Sequence, residues 1–177
     1  NMENGQKVKI GLVKNINQFD PWRRWHLLDW MISNSVNHFY NDSTIDFLQT
    51  GIFKIRIPGL AWIYHKNMDA VNATDFFGLN YYSHNHLKMQ YSLQEPFTMQ
   101  YPDEDTMTDM QYTIYGEGMY RAIQSVSALD VPIMITENGI ADAEDNRREL
   151  YIRRYLYAVS RAIEDGFNIT GYFYWSL

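Results

Sequence analysis

The segment DFFGLNYY, residues 75–82, is a nearly continuous apolar and aromatic run with polar residues on either side. Such a run is typical of a β-strand that is buried on both faces, as in a parallel sheet. Residues 131–136 (VPIMIT) and 169–177 (ITGYFYWSL) have the same character, and residues 8–16 (VKIGLVKNI) form a β-rich run that ends in polar residues. The sequence therefore predicts four strands.

Helical patterns separate these strands. Apolar residues recur every three or four positions in residues 25–40 and 112–129, and residues 43–48 add a short helical segment. The clearest helix spans residues 145–164, and Gly166 follows it as a C-cap. Its predicted buried face consists of Tyr151, Tyr155, Ala158, Val159 and Ala162. Strands that alternate with helices predict an α/β fold with a parallel sheet and right-handed crossovers.

Three segments between these elements are predicted to lack regular structure. Pro21 follows the first strand and predicts a loop there. Residues 51–72 fit neither a helical nor a strand period, and Pro58 and Gly59 interrupt them, so we expect irregular structure. The segment 83–109 is long and polar, as expected of a loop that lines an active site or is disordered.

An open doubly wound sheet and part of an eight-stranded barrel both fit this order of elements. A nucleotide-binding sheet would carry a Gly-rich loop after its first strand, whereas Gly11 stands alone and residues 116–118 open no strand-to-helix turn. The barrel is therefore favoured, with residues 1–177 as a single domain. The predicted strand that begins at Val8 and the one that ends at Leu177 would each be an unpaired edge of the sheet. Such edges favour a partner that pairs with them.

Composition excludes several classes of protein. The net charge is −6 and the Lys and Arg residues are scattered, which argues against nucleic acid or an anionic membrane as a partner. The absence of Cys excludes disulfides, thiolate metal sites and a cysteine nucleophile, and fits a reducing, cytoplasmic location. Neither a signal peptide nor a transmembrane run is apparent, so a soluble protein is expected. The charge balance described above favours an uncharged or cationic ligand.

Polar residues at the ends of the predicted strands suggest chemistry. Glu137 ends an apolar strand, and Gly139 would allow a sharp turn that exposes it. Asn80 and Tyr82 end the second predicted strand, and Trp175 lies at the end of the fourth. A carboxylate, an amide, a phenol and an indole suit the binding and cleavage of a sugar. Taken alone, such a Glu is more often solvated, and the Tyr and Trp are more often core residues.

Three strand segments resemble the sixth, seventh and eighth strand signatures of glycoside hydrolase family 1. They are residues 75–82, 135–139 and 171–177. Asp109-Met110 and residues 114–120 are similar to the family segment ahead of the sixth helix, which usually has Pro where Gly116 stands. The resemblance implies the C-terminal half of a (β/α)8 TIM barrel, strands 5 to 8, and a β-glucosidase-like hydrolase that needs neither metal nor cofactor.

The resemblance also implies roles for individual residues. Glu137 would be the nucleophile of a retaining mechanism, and Tyr82 would orient its carboxylate. Asn80 would reach sugar hydroxyls, Trp175 would stack on the sugar face, and Asn138 would shape the turn. The implied substrate is a β-linked glucoside or oligosaccharide.

One part of the family pattern is absent from the sequence. The acid/base carboxyl belongs to an Asn-Glu-Pro motif at the end of the fourth strand, and residues 94–96 (Gln-Glu-Pro) resemble it only superficially because no apolar strand precedes them. The chain alone is therefore predicted to be inactive. Its expected partner is the missing N-terminal half-barrel, or a second copy paired through the exposed edges. The alternative is a catalytically dead carbohydrate-binding or scaffold module.

Overall fold

The computed structural model describes residues 7–57, 61–92, 94–102 and 107–175. In chain order the elements in these ranges are β1 (Gly11–Asn15), β2 (Gln18–Pro21), α1 (Leu27–Asn37), α2 (Ser43–Thr50), β3 (Ile52–Ile57), β4 (Ala61–Lys66), β5 (Phe76–Asn80), β6 (His84–Met89), β7 (Phe97–Gln100), α3 (Glu117–Val126), β8 (Ile133–Asn138), α4 (Arg148–Glu164) and β9 (Ile169–Tyr174). A π-helical turn, His38–Asp42, joins α1 to α2.

A four-stranded parallel sheet is the centre of the fold. Its strand order is β1-β5-β8-β9, and every neighbouring pair is parallel. The four strands predicted from the sequence and their parallel arrangement are confirmed; β1, β5 and β9 are shorter than predicted, and β8 is shifted by two residues toward the C-terminus. Within the described ranges the sheet does not close into a barrel, because β1 and β9 are its edges.

Helices α3 and α4 cover one face of this sheet. Phe77, Leu79, Ile133 and Ile135 point toward them and are fully or almost fully buried. The buried residues of α4 are those predicted from its spacing: Tyr151, Tyr155, Ala158, Val159 and Ala162. On the strands at the sheet edges, Val13 is 53% exposed and Phe173 is 56% exposed. Apolar side chains therefore remain uncovered at both edges.

The mixed pattern of residues 51–72 suggested irregular structure, but most of the described part of this segment is regular. Strands β3 and β4 form an antiparallel hairpin in which Ile52 lies opposite Lys66. Ile55 is buried on one face, and Phe47 of α2 packs edge-on against Phe53. In β4, apolar side chains lie on both faces, Ile63 on one and Trp62 on the other, so no alternation is evident in its sequence. Pro58 and Gly59 lie outside the described residues.

The predicted loops at Pro21 and at residues 83–109 are also wrong in part. Strand β2 pairs in parallel with β6, and β6 pairs antiparallel with β7. Pro21 is tolerated because β2 is an edge strand of this small sheet, where a missing backbone N–H breaks no essential bond. Strand β6 (HNHLKM) is too polar to be recognised as a strand from its sequence.

A buried ion pair fastens α1 to the small sheet. The Asp29 side chain is fully buried and accepts hydrogen bonds from Arg23 Nη2 (2.7 Å), Arg23 Nε (2.8 Å) and the backbone N–H of Met89 in β6 (2.9 Å). The hydrogen bonds from Arg23 outweigh the opposing effect of burial and hold the pKa of Asp29 well below its usual range. The position of α1 over the sheet therefore depends on an ionised Asp29.

We predict that Asp29→Asn lowers the free energy of unfolding by about 2 to 4 kcal/mol, because it leaves Arg23 without its charged partner. Since the folded pKa of Asp29 is below its unfolded value, the contribution is present above about pH 4 and is lost as the pH falls further. Urea unfolding at pH 7 and at low pH measures both effects.

The matched control is Asp69→Asn, at an exposed position. We expect this control to change stability by less than about 0.5 kcal/mol. Equal effects of the two substitutions at pH 7 would contradict the role assigned to Asp29.

Candidate active site

The register of the parallel sheet brings the predicted strand-end residues to one edge. Asn15 lies opposite Asn80, and Asn80 lies opposite Glu137, so three polar side chains end three adjacent strands. Trp175 directly follows β9, and its backbone N–H donates to the carbonyl of Asn138 at 2.9 Å. The carboxyl ends of parallel strands are where α/β folds place their binding sites.

A β-bulge in β8 sets the position of Glu137. Leu79 pairs with Ile135, but the next residue, Asn80, pairs with Glu137, so Thr136 is an extra residue on β8. Bulges of this kind bend a strand and redirect a side chain, and they are common beside active sites. Gly139 does not have a positive φ, so the sharp glycine turn expected from the sequence is not what presents Glu137.

Tyr82 binds the Glu137 carboxylate directly. Its hydroxyl donates to Glu137 Oε2 at 2.9 Å, and both residues are partly buried. Burial raises the pKa of Tyr82, and the hydrogen bond to the negatively charged Glu137 raises it further. Tyr82 therefore stays protonated as a donor to Oε2, and among the described residues no hydrogen bond is made to Glu137 Oε1.

Asn80 and Trp175 differ in how firmly the structure holds them. Asn80 Oδ1 accepts a hydrogen bond from Thr136 Oγ1 at 2.6 Å, which fixes the amide and leaves its Nδ2 hydrogens for other partners. The Trp175 residue is 64% exposed, so its indole is largely open to solvent. A fixed amide and an open aromatic surface at one sheet edge can serve hydrogen bonding and stacking of a ring.

Asn138 does more than shape the turn after β8. It is completely buried, and its Nδ2 donates to the carbonyl of Tyr81 (2.7 Å) and to Tyr151 Oη (2.8 Å), while Tyr172 Oη donates to its Oδ1 (2.7 Å). These bonds join the segment after β5, helix α4 and strand β9 to the residue next to Glu137. In the sequence, Asn138 belongs to a polar motif at a strand end, and nothing there indicated that its side chain would join these three segments.

The loop after β8 is held by a second polar network. Asp142 is buried and accepts hydrogen bonds from the backbone N–H groups of Arg147 (2.8 Å) and Arg148 (3.0 Å), at the start of α4. Arg147 Nη2 also donates to Asp109 Oδ1 at 2.9 Å, and the N–H of Ala143 donates to Asp109 Oδ2 at 2.6 Å. Asp109 belongs to a motif noted in the sequence, whereas nothing there indicated this partnership.

Glu95 does not lie at the carboxyl end of a strand. It is exposed and sits in the turn before β7, where its backbone N–H donates to Ser92 Oγ at 3.3 Å. In the ranges that the structure covers, no group of three His, Asp or Glu side chains is placed to hold a metal ion. Over the same ranges, every helix is too short or too polar to cross a membrane.

We predict that Asn138→Ala lowers the free energy of unfolding by about 2 to 4 kcal/mol, because three polar partners, two of them buried, lose their hydrogen bonds. Asn146→Ala removes an exposed amide that, within the described ranges, binds Glu144 alone, and it should cost less than about 0.5 kcal/mol. Denaturant unfolding of both variants tests this, and an Asn138→Ala protein as stable as the control would contradict it.

Comparison with known proteins gives a consistent result. A family model described as "Glycosyl hydrolase family 1" matches residues 9–177. The chain is 28% identical to the β-galactosidase of Pyrococcus woesei, over 97% of this chain and 37% of that protein. It is 34% identical to the 1,4-β-D-glucan glucohydrolase of Thermotoga neapolitana, over 64% of this chain and 29% of that protein.

A solved structure supports the same relationship. The β-glycosidase from Pyrococcus horikoshii matches with a TM-score of 0.80 and 31% identity, over 94% of this chain and 38% of that one. The chain thus spans less than half the length of each of these relatives. Because the family model matches nearly the whole sequence, the chain belongs to glycosyl hydrolase family 1.

Proposed function

We propose that this chain supplies the nucleophile-bearing part of a retaining β-glycosidase of the β-glucosidase type. The observation that carries the proposal is the Glu137 carboxylate, presented by a bulge at a strand end and bound by the Tyr82 hydroxyl at 2.9 Å. Family membership supports the reaction class, and the names of the relatives support a β-linked glycoside as substrate.

In this reaction Glu137 Oε1 attacks the anomeric carbon while the bond to the leaving-group oxygen breaks, which gives a glycosyl-enzyme ester. A second carboxyl, about 5 Å away, protonates the leaving group and then deprotonates the water that hydrolyses the ester. Tyr82 holds Oε2 by its donated hydrogen bond, so the other oxygen is oriented for attack. Asn80 binds a sugar hydroxyl, and Trp175 stacks on the sugar ring.

The acid/base carboxyl comes from outside these 177 residues. The sequence has no Asn-Glu-Pro strand end, and Glu95 lies in an exposed turn. In the part of the chain that the structure describes, β1 and β9 are the unpaired edges of the central sheet, where further strands can pair. A half-barrel that completes the sheet supplies the acid/base carboxyl. The alternative partner is a second copy of this chain, which would supply no such carboxyl.

The test of the proposal is covalent labelling. The chain is combined with the part of the P. horikoshii β-glycosidase that it does not match, and the complex is treated with 2-deoxy-2-fluoro-β-D-glucosyl fluoride. Fluoride departs without protonation, so the label reports the nucleophile alone. We predict one sugar bound to Glu137 by peptide mass mapping and recovery of aryl β-glucoside hydrolysis.

Glu137→Gln should abolish both the label and hydrolysis, with a loss in kcat of at least about 10⁴-fold. The matched control is Glu95→Gln, which should keep both. A folded complex that is neither labelled nor active, or a label on another carboxylate, would show that the proposal is wrong.

Tyr82→Phe tests the hydrogen bond to Glu137. Loss of a hydrogen bond to a charged group, about 1.5 to 3 kcal/mol, should lower kcat roughly tenfold to a hundredfold with little change in KM. Tyr112→Phe is the matched control, since its ring lies 6.3 Å from that of Tyr82 but does not bind Glu137. The measurement is steady-state kinetics of both variants in the complex. Equal losses of kcat in the two variants would refute the role of Tyr82.

One observation favours a second function, a carbohydrate-binding module without catalysis: the chain has no acid/base motif of its own. Such a module would bind sugar in isolation, and binding would survive Glu137→Ala. Calorimetric titration of the isolated chain and of this variant separates the two functions.

A further inference from the structure

The hairpin of β3 and β4 has an outer face that is open to solvent. Its inner face packs on α2 through residues such as Phe53, which contacts Phe47. The strand register places the alternate residues on the outer face, where Arg56 lies opposite Trp62 and Lys54 lies opposite Tyr64. Five exposed side chains therefore share this face: Lys54, Arg56, Trp62, Tyr64 and Lys66.

Three consecutive side chains of β4 are large, apolar or aromatic, and exposed. Trp62 is 75% exposed, Ile63 is 47% exposed and Tyr64 is 55% exposed. Ile63 lies on the face opposite Trp62 and Tyr64, so these three residues form a ridge that exposes such side chains on both faces of the strand. Exposed patches of this kind mark sites of interaction with a protein or a membrane.

The charge of the chain is concentrated differently in the hairpin. Residues 51–66 contain Lys54, Arg56 and Lys66 and neither Asp nor Glu, so this segment carries +3 and the rest of the chain −9, which gives the net −6. Within the described residues none of these three cations forms an ion pair. Exposed charges act over only about 8 Å at physiological ionic strength, so an anion at the hairpin meets a cationic surface although the whole chain is acidic.

Aromatic and cationic side chains together suit the headgroup region of an anionic bilayer. Trp and Tyr are enriched at membrane–water interfaces, which accommodate both the apolar body and the polar tip of each ring. Each Lys or Arg near an anionic lipid surface strengthens binding about fivefold. A lipid layer can enclose β4 from both faces and so cover Ile63 as well as Trp62, whereas a flat partner would cover one face.

We propose that the ridge and the outer face of this hairpin form a docking site for an anionic lipid surface. Trp62 and Tyr64 lie at the level of the headgroups, and Lys54, Arg56 and Lys66 contact anionic groups there. The association is peripheral and reversible, because a single short hairpin makes the contact. This site goes beyond the proposed function and does not use Glu137.

The test is flotation with lipid vesicles, both of the 177-residue chain and of its complex with the complementary half-barrel. Vesicles of phosphatidylcholine with roughly 30% phosphatidylglycerol are compared with vesicles of phosphatidylcholine alone. We expect the anionic vesicles to bind at least about tenfold more tightly, and roughly 1 M salt to abolish the difference by screening. Absence of binding by the complex, or equal binding to both kinds of vesicle, would overturn the proposal.

Trp62→Ala tests the ridge and should weaken binding to anionic vesicles roughly tenfold. Trp25→Ala is the matched control, because Trp25 is 81% exposed and lies outside the hairpin. Lipids brominated near the headgroup should quench part of the Trp fluorescence, and Trp62→Phe should remove that quenching. Equal affinities of the two alanine variants, or quenching that persists in Trp62→Phe, would show that the ridge is not the site.

Reversal of two charges tests the cationic face. The double variant Lys54→Glu with Lys66→Glu should weaken binding to anionic vesicles at least about twentyfold and leave binding to neutral vesicles unchanged. The control, Lys7→Glu with Lys9→Glu, makes the same change in net charge at exposed positions outside the hairpin. Equal losses in the two double variants would mean that net charge, not the hairpin, determines binding, and the proposal would be wrong.

Two other occupants of the hairpin would give different results. Bases also stack on aromatic side chains beside cations, so tighter binding of a single-stranded oligonucleotide than of anionic vesicles, lost in Trp62→Ala, would overturn the proposal. Vesicle binding by the isolated chain that the half-barrel abolishes would identify the hairpin as a contact with that half and would also overturn it. Glu137→Gln should bind vesicles as the unaltered protein does, so the proposed function and this site can fail independently.

Discussion

The hydrogen bonds of the buried Asn138 amide are the interaction on which the rest of the site depends. One side chain joins the backbone of Tyr81, the hydroxyl of Tyr151 in α4 and the hydroxyl of Tyr172 in β9. The backbone carbonyl of Asn138 also accepts a hydrogen bond from the N–H of Trp175. Three strands and a helix are therefore fixed relative to the residue beside Glu137, which gives the carboxylate a defined position.

An open sheet edge is the second constraint. The parallel strands leave β1 and β9 unpaired within the described residues, and apolar side chains at both edges are exposed. Proteins usually cover or pair such edges. Because the chain spans less than half the length of its relatives, we propose that a complementary half-barrel pairs with these edges and supplies the acid/base carboxyl.

The parts of the fold that were predictable from the sequence are those buried on a full face. Strands β5 and β8 and helix α4 carry long apolar patterns, and their existence and buried residues agree with the sequence. The hairpin of β3 and β4 was missed because apolar side chains lie on both faces of β4, and strand β6 was missed because it is short and mostly polar. At the site, motifs located Glu137 and Tyr82, but the bulge at Thr136 depends on strand register, which no local pattern encodes.

The central claim is that Glu137 attacks the sugar, and rescue of a Glu137→Gly variant tests it most directly. In the completed barrel, added azide can take the place of the missing carboxylate and attack a β-glucoside with a dinitrophenolate leaving group. The account predicts that azide restores turnover and that NMR of the product shows the α-glucosyl azide. A β-glucosyl azide, or no rescue in a folded complex that still binds the substrate, would contradict it.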